Sequence, residues 1–194
     1  MFSPASERNK DPILEVLKQH LPQQGSVLEL ACGSLQHALH FTAHLTELNW
    51  IPTDIDPTTL AHGQHLNPLP ANLARPVYLD VLELPWPIQP VDTIYTANLL
   101  HISPAAVCTH LFAGGHAALH PGGLLIVYGP FKEDGRHTSE GNERFDADLR
   151  VRNPEWGIRE LEAVVASGAS HGFVLQEDVH MPANNRMLIF SRTP

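Results

Sequence analysis

The sequence predicts a single α/β domain with a Rossmann-like, doubly wound, mostly parallel sheet and an antiparallel C-terminal edge strand. Short apolar segments alternate with amphipathic segments along the chain, which is the pattern of strands joined by right-handed helical crossovers. The last two strand segments are joined by only a short link, so they must run antiparallel. A chain of 194 residues has the usual length of one domain, and we expect residues 1–194 to form it.

The strands and helices follow from apolar patterns and from their end signals. The first helix is predicted to begin at Asp11-Pro12, because Asp caps a helix and Pro favours its first turn, and to end at Pro22. Leu124–Tyr128 is the clearest strand, since it is a continuous apolar run bounded by glycines. The other predicted strands are Ser26–Ala31, Asn49–Asp54, Pro76–Asp80, Val91–Ala97, Phe173–Glu177 and Arg186–Ser191. The other predicted helices are Leu35–Leu45, Ser103–His120 and Ile158–Gly168.

The segment 129–156 differs from the rest of the chain. It shows little periodicity and is polar, and long loops in compact domains tend to cover ligands. It also leaves the carboxyl end of a parallel strand, where open α/β sheets bind ligands. We therefore predict a substrate-covering loop, with a solvated surface excursion as the alternative. Half of the basic residues lie in this segment or just after it: Lys132, Arg136, Arg144, Arg150, Arg152 and Arg159.

The charge of the chain narrows its partners. Twelve Lys and Arg against 21 Asp and Glu leave a formal net charge of −9, which repels phosphate backbones and anionic lipids. We therefore expect a small-molecule substrate, no nucleic acid or membrane partner, and a monomer or homodimer. Cys32 and Cys108 lack a metal-binding spacing and are interpreted as reduced thiols of a cytoplasmic protein. Met1–Lys10 does not resemble a signal peptide, and no apolar run reaches the ~20 residues of a membrane span.

The clearest motif is the strand and turn Val27–Ser34, with sequence VLELACGS. Gly33 allows a ligand to approach the backbone just before a helix begins. The three glycines of a pyrophosphate cradle are missing, which disfavours an NAD-dependent oxidoreductase. Glu29 stands four residues before this glycine, and a carboxylate at a strand end suits a ligand that carries positive charge.

Polar residues also follow the next three predicted strands. Asp54 ends the second strand, where an acid can accept hydrogen bonds from ribose hydroxyls, and Asp56 competes for the same function. Asp80-Val81 follows the third strand, and Asn98–His101 follows the fourth. An acid at a strand end is more often a helix cap or a turn former. Together, on successive strand ends, these residues indicate one ligand crevice.

Several longer stretches resemble one family. The sequence is similar to the small methyltransferase family catalogued as domain of unknown function 938, also called the methyltransferase-like protein 26 family. The matching stretches are Ser3–Ile13, Glu29–His37, Thr53–Asp56, Ala97–Ile102, Leu119–Phe131, His137–Asn142, Trp156–Arg159 and Met181–Asn185. The resemblance implies a class I fold that uses S-adenosyl-L-methionine (SAM) and releases S-adenosyl-L-homocysteine (SAH). One departure is Leu35, where family members carry a small residue; we expect it to narrow the cofactor turn.

The resemblance and the strand ends together imply a cofactor site, with residues 1–22 folding over it. Arg8 is expected to pair with the SAM carboxylate. The residues expected to bind the cofactor are Arg8, Asn9, Glu29, Ala31, Gly33, His37, Asp54, Asp80, Val81, Asn98 and Leu99.

Candidate catalytic and substrate residues lie around the same crevice. His101 is the first candidate for a general base, because histidine titrates near neutrality; it could instead cap the following helix. His137 and Asp146 in the 129–156 segment are the second candidates. The residues expected to contact the substrate are Tyr128, Phe131, Asn142, Asn184 and Asn185, of which the aromatic ones could also be core.

Two other interpretations of these residues, a metal site and a hydrolase active site, have little support. His37, His40 and His44 share one helix face, but no fourth ligand accompanies them, so we expect no metal. Cys32 beside His37 lacks the turn of a hydrolase nucleophile.

The sequence thus favours a SAM-dependent methyltransferase with an unidentified small-molecule acceptor. The alternatives are a protein or peptide methyltransferase and a non-catalytic SAM-binding regulatory protein.

Overall fold

The computed structural model describes residues 2–194 and, within them, shows a seven-stranded sheet flanked by helices and a separate three-stranded sheet. The helices are α1 (Pro4–His20), α2 (Gln36–His44), α3 (Pro57–Gln64), α4 (Ala106–Ala118), α5 (Glu140–Arg152) and α6 (Leu161–Ser170). The strands are β1 (Gly25–Leu30), β2 (Leu48–Asp54), β3 (Val77–Tyr78), β4 (Val91–Ala97), β5 (Leu119–Gly129), β6 (Phe131–Glu133), β7 (Arg136–His137), β8 (Arg159–Glu160), β9 (Phe173–Met181) and β10 (Asn185–Arg192).

The large sheet has the strand order β3-β2-β1-β4-β5-β10-β9. Strands β3, β2, β1, β4 and β5 are parallel, and β10 runs antiparallel to both β5 and β9. The predicted fold class is therefore confirmed, including the antiparallel C-terminal pair. Because the parallel strands all end at the same edge, the residues that follow β1, β2 and β4 lie next to one another.

Two apolar layers hold this sheet, one on each face. Adjacent residues of β4 point into different layers. Ile94 belongs to the layer with Phe112 of α4. Tyr95 belongs to the layer with Phe41 of α2 and Ile13 of α1. All five side chains have no exposed surface. Helices on both faces explain why the central strands are apolar without a period of two.

The first helix begins earlier than predicted, at Pro4 instead of Asp11-Pro12. The Ser3 hydroxyl accepts a hydrogen bond from Ser6 N–H at 3.2 Å and caps it, and Pro12 lies inside the helix. The sequence contains two possible helix starts, Ser3-Pro4 and Asp11-Pro12. The helix begins at the first of them because the amino-terminal half of α1 contacts α2. Proline removes one N–H from the helix, and those contacts compensate for it.

The prediction of a loop at 129–156 is wrong, because this segment forms β6, β7 and α5. Ser139 caps α5 by accepting a hydrogen bond from Asn142 N–H at 3.1 Å. Acidic residues occupy its first turn and basic residues its last turn, which complements the helix dipole. Its buried residues are Asn142, Asp146 and Leu149. Since two of the three are polar, the helical spacing leaves no hydrophobic period.

Smaller differences lie around β2 and β3. The helix α3 was not predicted; Pro57 stands at its start and Asp56 caps it. The third strand shortens to Val77–Tyr78. None of the helices formed by residues 2–194 combines the length and apolar character that a membrane crossing requires.

Candidate active site

Two pockets meet at the carboxyl edge of the large sheet. The first pocket, of about 290 Å³, is lined by Ser3, Ala5, Ser6, Glu29, Ala31, Cys32, Gly33, Ser34, His37, Ala97, Asn98, His101 and Phe145. The second pocket, of about 450 Å³, is lined by Ala5, Arg8, Asn9, Pro12, Asn98, Tyr128, Pro182, Ala183 and Asn185. Ala5 and Asn98 belong to both linings, so the two pockets adjoin.

The turn after β1 forms the floor of the first pocket. Ala31, Gly33 and Leu35 have left-handed backbone angles, with φ of 56°, 52° and 62°. A Cβ atom on Gly33 would meet nothing within 4 Å, so the space above this residue is open to a ligand. Leu35 is fully buried in the apolar layer that contains Phe41, so its side chain does not narrow the pocket as we had expected.

Glu29 is the only acidic side chain that lines the first pocket among the residues described, 2–194. It is 2% exposed, and Trp50 Nε1–H donates a hydrogen bond of 2.6 Å to its Oε2. Burial raises the pKa of Glu29 to about 8, against the opposing effect of the Trp50 hydrogen bond. A cation placed beside it would favour the ionised form.

Asp54 braces the turn from the end of β2. Its Oδ2 accepts a hydrogen bond from Gly33 N–H at 2.8 Å, and its Oδ1 accepts one from Asp56 N–H at 2.9 Å. Asp56 itself accepts from Thr58 N–H and so acts as the cap of α3. Of the two acids that competed in the sequence, Asp54 is the one that contacts the glycine turn.

His37 ties α1 to the sheet above the first pocket. Its Nε2 lies 2.7 Å from Asn9 Oδ1 and its Nδ1 lies 3.2 Å from the Tyr95 hydroxyl. The ring stacks on Phe41 with centroids 5.2 Å apart. Burial lowers the pKa of His37 to about 4, so the ring is neutral at neutral pH. A further backbone contact, from Ser3 N–H to Gln36 Oε1 at 2.5 Å, holds the start of α1 in place.

His101 lies in a 3₁₀ turn, Leu100–Ile102, directly after β4. It is 5% exposed, and its ring packs edge-on against Phe145 of α5 with centroids 5.4 Å apart. Burial, and then the positive charge of Arg159, lower its pKa to about 4. Among residues 2–194, no group hydrogen-bonds to either ring nitrogen of His101. The lowered pKa makes the imidazole neutral at neutral pH. Because its ring nitrogens have no partner among residues 2–194, they are available to a ligand.

Arg159 holds the His101 turn in place, a function that the sequence analysis missed. Its guanidinium donates hydrogen bonds to the carbonyls of Leu100, Ser103 and Glu155. The backbone of the same region adds a hydrogen bond from Gly157 N–H to His101 O at 3.0 Å. The only available signal was the Trp156–Arg159 stretch, which the family resemblance includes. Phe145 was missed too, because it is a single aromatic residue in a polar helix.

The other two candidate catalytic residues, His137 and Asp146, lie within residues 129–156. Asp146 is 5% exposed and accepts hydrogen bonds from Ile158 N–H at 2.6 Å, His137 Nε2–H at 3.1 Å and Arg150 Nε–H at 3.2 Å. The hydrogen bonds from Ile158 and His137 anchor α5, whereas the one from Arg150 lies within the helix. Neither His137 nor Asp146 lines either pocket at the sheet edge.

The link between β9 and β10 connects α5 to the second pocket. Asn142 of α5 donates from Nδ2 to the Asn184 carbonyl at 3.1 Å. Ala183 and Asn184 have left-handed φ angles of 58° and 55°, which produce the tight turn. Ala183 and Asn185 line the second pocket from this turn.

The structure thus separates the predicted site residues into three groups. The first pocket contains Glu29, Ala31, Gly33, His37, Asn98 and His101. The second pocket contains Arg8, Asn9, Asn98, Tyr128 and Asn185. Neither pocket is lined by Asp54, Asp80, Val81, Leu99, Phe131, His137, Asn142, Asp146 or Asn184.

The residues of the third group have other surroundings. Phe131 is 1% exposed in the apolar layer below the sheet, with Val81 in the same layer and Leu99 packed against it. Asp80 accepts a hydrogen bond from Leu82 N–H at 2.9 Å beyond β3. Across residues 2–194, no three His, Cys, Asp or Glu side chains are grouped so as to hold a metal ion.

The strand order and the two pockets at the carboxyl edge define the fold of class I SAM-dependent methyltransferases. The chain belongs to the family described as "Protein of unknown function (DUF938)", whose model matches residues 1–192. The family resemblance seen in the sequence is thereby confirmed.

Solved structures show the same fold. Human N-acetylserotonin methyltransferase in complex with SAM has a TM-score of 0.84 and 16% identity, over 98% of this chain and 53% of that chain. An O-methyltransferase family protein from Burkholderia thailandensis has a TM-score of 0.80 and 17% identity, over 97% and 57%. CalO1, a methyltransferase in calicheamicin biosynthesis in its SAH-bound form, has a TM-score of 0.74 and 13% identity, over 98% and 61%. The chain therefore spans 53% to 61% of the length of these three proteins.

Proposed function

We propose that this protein is a SAM-dependent methyltransferase that binds its cofactor in the first pocket and a small-molecule methyl acceptor in the second. The observation that carries the proposal is the junction of the two pockets at Ala5 and Asn98. Methyl transfer requires donor and acceptor in contact and in line, and two adjoining pockets provide that contact.

The first pocket fits the chemistry of SAM. Its only acidic side chain, Glu29, is buried beside the open turn at Gly33 and would pair with a positively charged ligand. Asp54 lies one strand further along the edge, outside the lining of the first pocket but bonded to its Gly33 turn, and it retains free lone pairs beyond its two backbone hydrogen bonds. Asp80 follows β3 at the same edge. This order matches a ligand that extends from a charged amino acid end to a nucleoside.

His101 is the residue that we assign to proton transfer. Bound in the first pocket, SAM would supply an electrophilic sulfonium methyl group, with SAH as the leaving group. The neutral imidazole of His101 would accept the proton of a hydroxyl or amine acceptor. Phe145 covers the ring and keeps water from it, and Arg159 holds its backbone. His137 and Asp146 remain predictions without a place in this mechanism.

The second pocket supports a small acceptor. Its volume of about 450 Å³ lies within the range of ordinary ligand sites. Phe145 of α5 lines the first pocket and the β9–β10 turn lines the second, so both segments contribute walls to the site. The cytoplasmic location, the absence of nucleic acid and membrane partners, and the monomer or homodimer state stay predictions from the sequence.

Calorimetric titration of the purified protein with SAM, SAH and NAD tests the cofactor assignment. We expect micromolar binding of SAM and SAH and no binding of NAD. Binding of NAD in preference to SAM, or no binding of either sulfur ligand, would contradict the proposal.

A further inference from the structure

The wall of the second pocket presents hydrogen-bond donors to a ligand. The direction of these hydrogen bonds is set by a row of side chains that runs from the core to the pocket wall at Tyr128. Tyr95, His37 and Asn9 follow one another as hydrogen-bond neighbours, from the fully buried core to the wall of the second pocket, which Asn9 and Tyr128 both line. The contact between Asn9 and the Tyr128 hydroxyl opposes the effect of burial on the pKa of Tyr128.

The direction of these hydrogen bonds follows from the buried end. Tyr95 has no exposed surface, and among residues 2–194 its hydroxyl has only His37 Nδ1 as a partner. A buried hydroxyl hydrogen needs an acceptor, so Tyr95 O–H donates to Nδ1 of the neutral ring. The proton of His37 is then on Nε2 and is donated to Asn9 Oδ1.

The same direction continues to the pocket. Since Asn9 Oδ1 accepts from His37, the group that Asn9 can offer to the Tyr128 hydroxyl oxygen is its amide N–H, which agrees with the lowering of the Tyr128 pKa by Asn9. The hydrogen of the Tyr128 hydroxyl is left for the pocket. Tyr128 is therefore a donor toward whatever binds there.

Arg8 adds a second donor to the same wall. Within residues 2–194 it forms no ion pair, whereas its neighbours Glu7 and Lys10 pair with each other. In a chain with a net charge of −9, an arginine without an acidic partner at a pocket mouth is available to an anionic ligand. The structure places this arginine in the second pocket and not in the first.

The rest of the second pocket is mainly apolar. Ala5, Pro12, Pro182 and Ala183 contribute aliphatic surface around the Tyr128 hydroxyl and the Arg8 guanidinium, and the side chains of Asn9, Asn98 and Asn185 complete the lining. This combination suits a ligand with an apolar body and one group that accepts hydrogen bonds and carries negative charge.

We propose that the methyl acceptor is a small apolar carboxylic acid, whose carboxylate receives hydrogen bonds from the Tyr128 hydroxyl and the Arg8 guanidinium. This inference rests on the proposed function, because it assigns the second pocket to the acceptor. It also reassigns Arg8 from the cofactor carboxylate to that of the acceptor. A guanidinium binds a carboxylate through charge-assisted hydrogen bonds, which a neutral amide cannot replace.

Two matched pairs of probes test the proposal: 4-hydroxybenzoate against 4-hydroxybenzamide, and 4-hydroxycinnamate against its amide. Each is titrated calorimetrically into wild-type protein saturated with SAH. We expect at least one acid to bind about tenfold or more tightly than its amide. Arg8→Gln and Tyr128→Phe should each reduce this ratio to near one. Both variants should keep their affinity for SAH, which also shows that they fold.

Arg144→Gln serves as the matched control, because Arg144 is an exposed arginine on α5 that pairs only with Glu140. It should leave the acid-to-amide ratio unchanged. The proposal is overturned if neither acid binds, if acid and amide bind equally, or if Arg8→Gln leaves the ratio unchanged. A loss of SAH affinity in Arg8→Gln would return Arg8 to the cofactor and overturn the inference alone. Failure of the wild-type protein to bind SAH would instead overturn the proposed function.

Discussion

The turn after β1 and the covering helix α5 lie on either side of the first pocket but are assembled differently. The turn is built from residues at the ends of the paired strands β1 and β2, and it is held by hydrogen bonds from Gly33 N–H to the Asp54 carboxylate and from Cys32 N–H to the Thr53 carbonyl. The helix is held by side chains that reach distant parts of the chain, such as Asn142 to Asn184 and Asp146 to Ile158. We infer that the turn provides cofactor affinity, while the helix provides closure and stability of the site.

Replacement of His101 should have the largest effect, since this residue lies between the two regions. His101→Ala should lower the rate of SAH formation by about 10²–10⁴-fold, the usual contribution of a general base. Its affinity for SAH should stay close to that of wild type. The measurement is the initial rate with an acceptor found by screening, alongside calorimetry with SAH.

His120→Ala is the control for this substitution, because His120 is exposed at the start of β5, at the opposite edge of the sheet. It should retain full activity. An active, folded His101→Ala enzyme would remove this histidine from the mechanism.

Replacement of Asp146 should break the covering helix without affecting the turn. The carboxylate is 5% exposed and accepts three hydrogen bonds, so Asp146→Ala should reduce the free energy of unfolding by about 3 kcal/mol. The loss should be visible in urea denaturation, whereas SAH affinity should change little. Asp148→Ala, on an exposed position of the same helix, should stay within about 0.5 kcal/mol of wild type. Equal stability of the two variants would contradict the anchoring function of Asp146.

Replacement of Asp54 should weaken SAM binding at the turn after β1. Asp54→Ala removes a charged acceptor next to the proposed ribose position, and we expect SAM binding to weaken by ~1–3 kcal/mol. Asp56→Ala is the matched control: it removes the cap of α3, which costs about 1 kcal/mol of stability, but leaves the ligand contacts intact. Calorimetry with SAM measures both variants, and an unchanged affinity in Asp54→Ala would exclude Asp54 from the cofactor site.

The smallest expected effect is a pH dependence that sharpens the assignment of Glu29. Its pKa is raised to about 8, so the carboxyl is neutral below that pH and must lose a proton to pair with a cation. SAM affinity should therefore rise with pH between about 5.5 and 7.5, by up to about tenfold per unit. Glu29→Gln should remove this slope. A flat profile in the wild-type protein would show that Glu29 does not face the charged end of the cofactor.

The same shift has a defined consequence for stability. Because burial raises the pKa of Glu29 from 4.5 to about 8, its contribution to folding is complete below 4.5 and is lost as the pH rises toward 8. His37 and His101 have the opposite sign, since burial lowers the pKa of each from 6.5 to about 4. Their contribution is complete above 6.5 and is lost as the pH falls toward 4.

The sequence was sufficient for the parts of the site whose signals are local. Glu29, Gly33 and Asn98 follow apolar strands, and parallel strands place their ends at one edge, so their meeting in the first pocket could be predicted. The predicted start of α1 was wrong because two equivalent capping signals stand eight residues apart, at Ser3 and Asp11. Tertiary contacts favour the earlier start, among them those of Asn9 with His37, of Ser3 with Gln36 and of Glu7 with Gln36.

The sequence by itself determined the class of fold, the family and the strand ends that carry the candidate cofactor residues, because these depend on periodicity and on short motifs. The tertiary structure alone decided the helix α5, the support of His101 by Arg159 and the polarity of the second pocket. Arg159 lies 59 residues from its partner Leu100, and Asn142 lies 42 residues from Asn184. A buried polar residue is stable only when a distant partner satisfies it, and no local pattern in the chain reveals that partner.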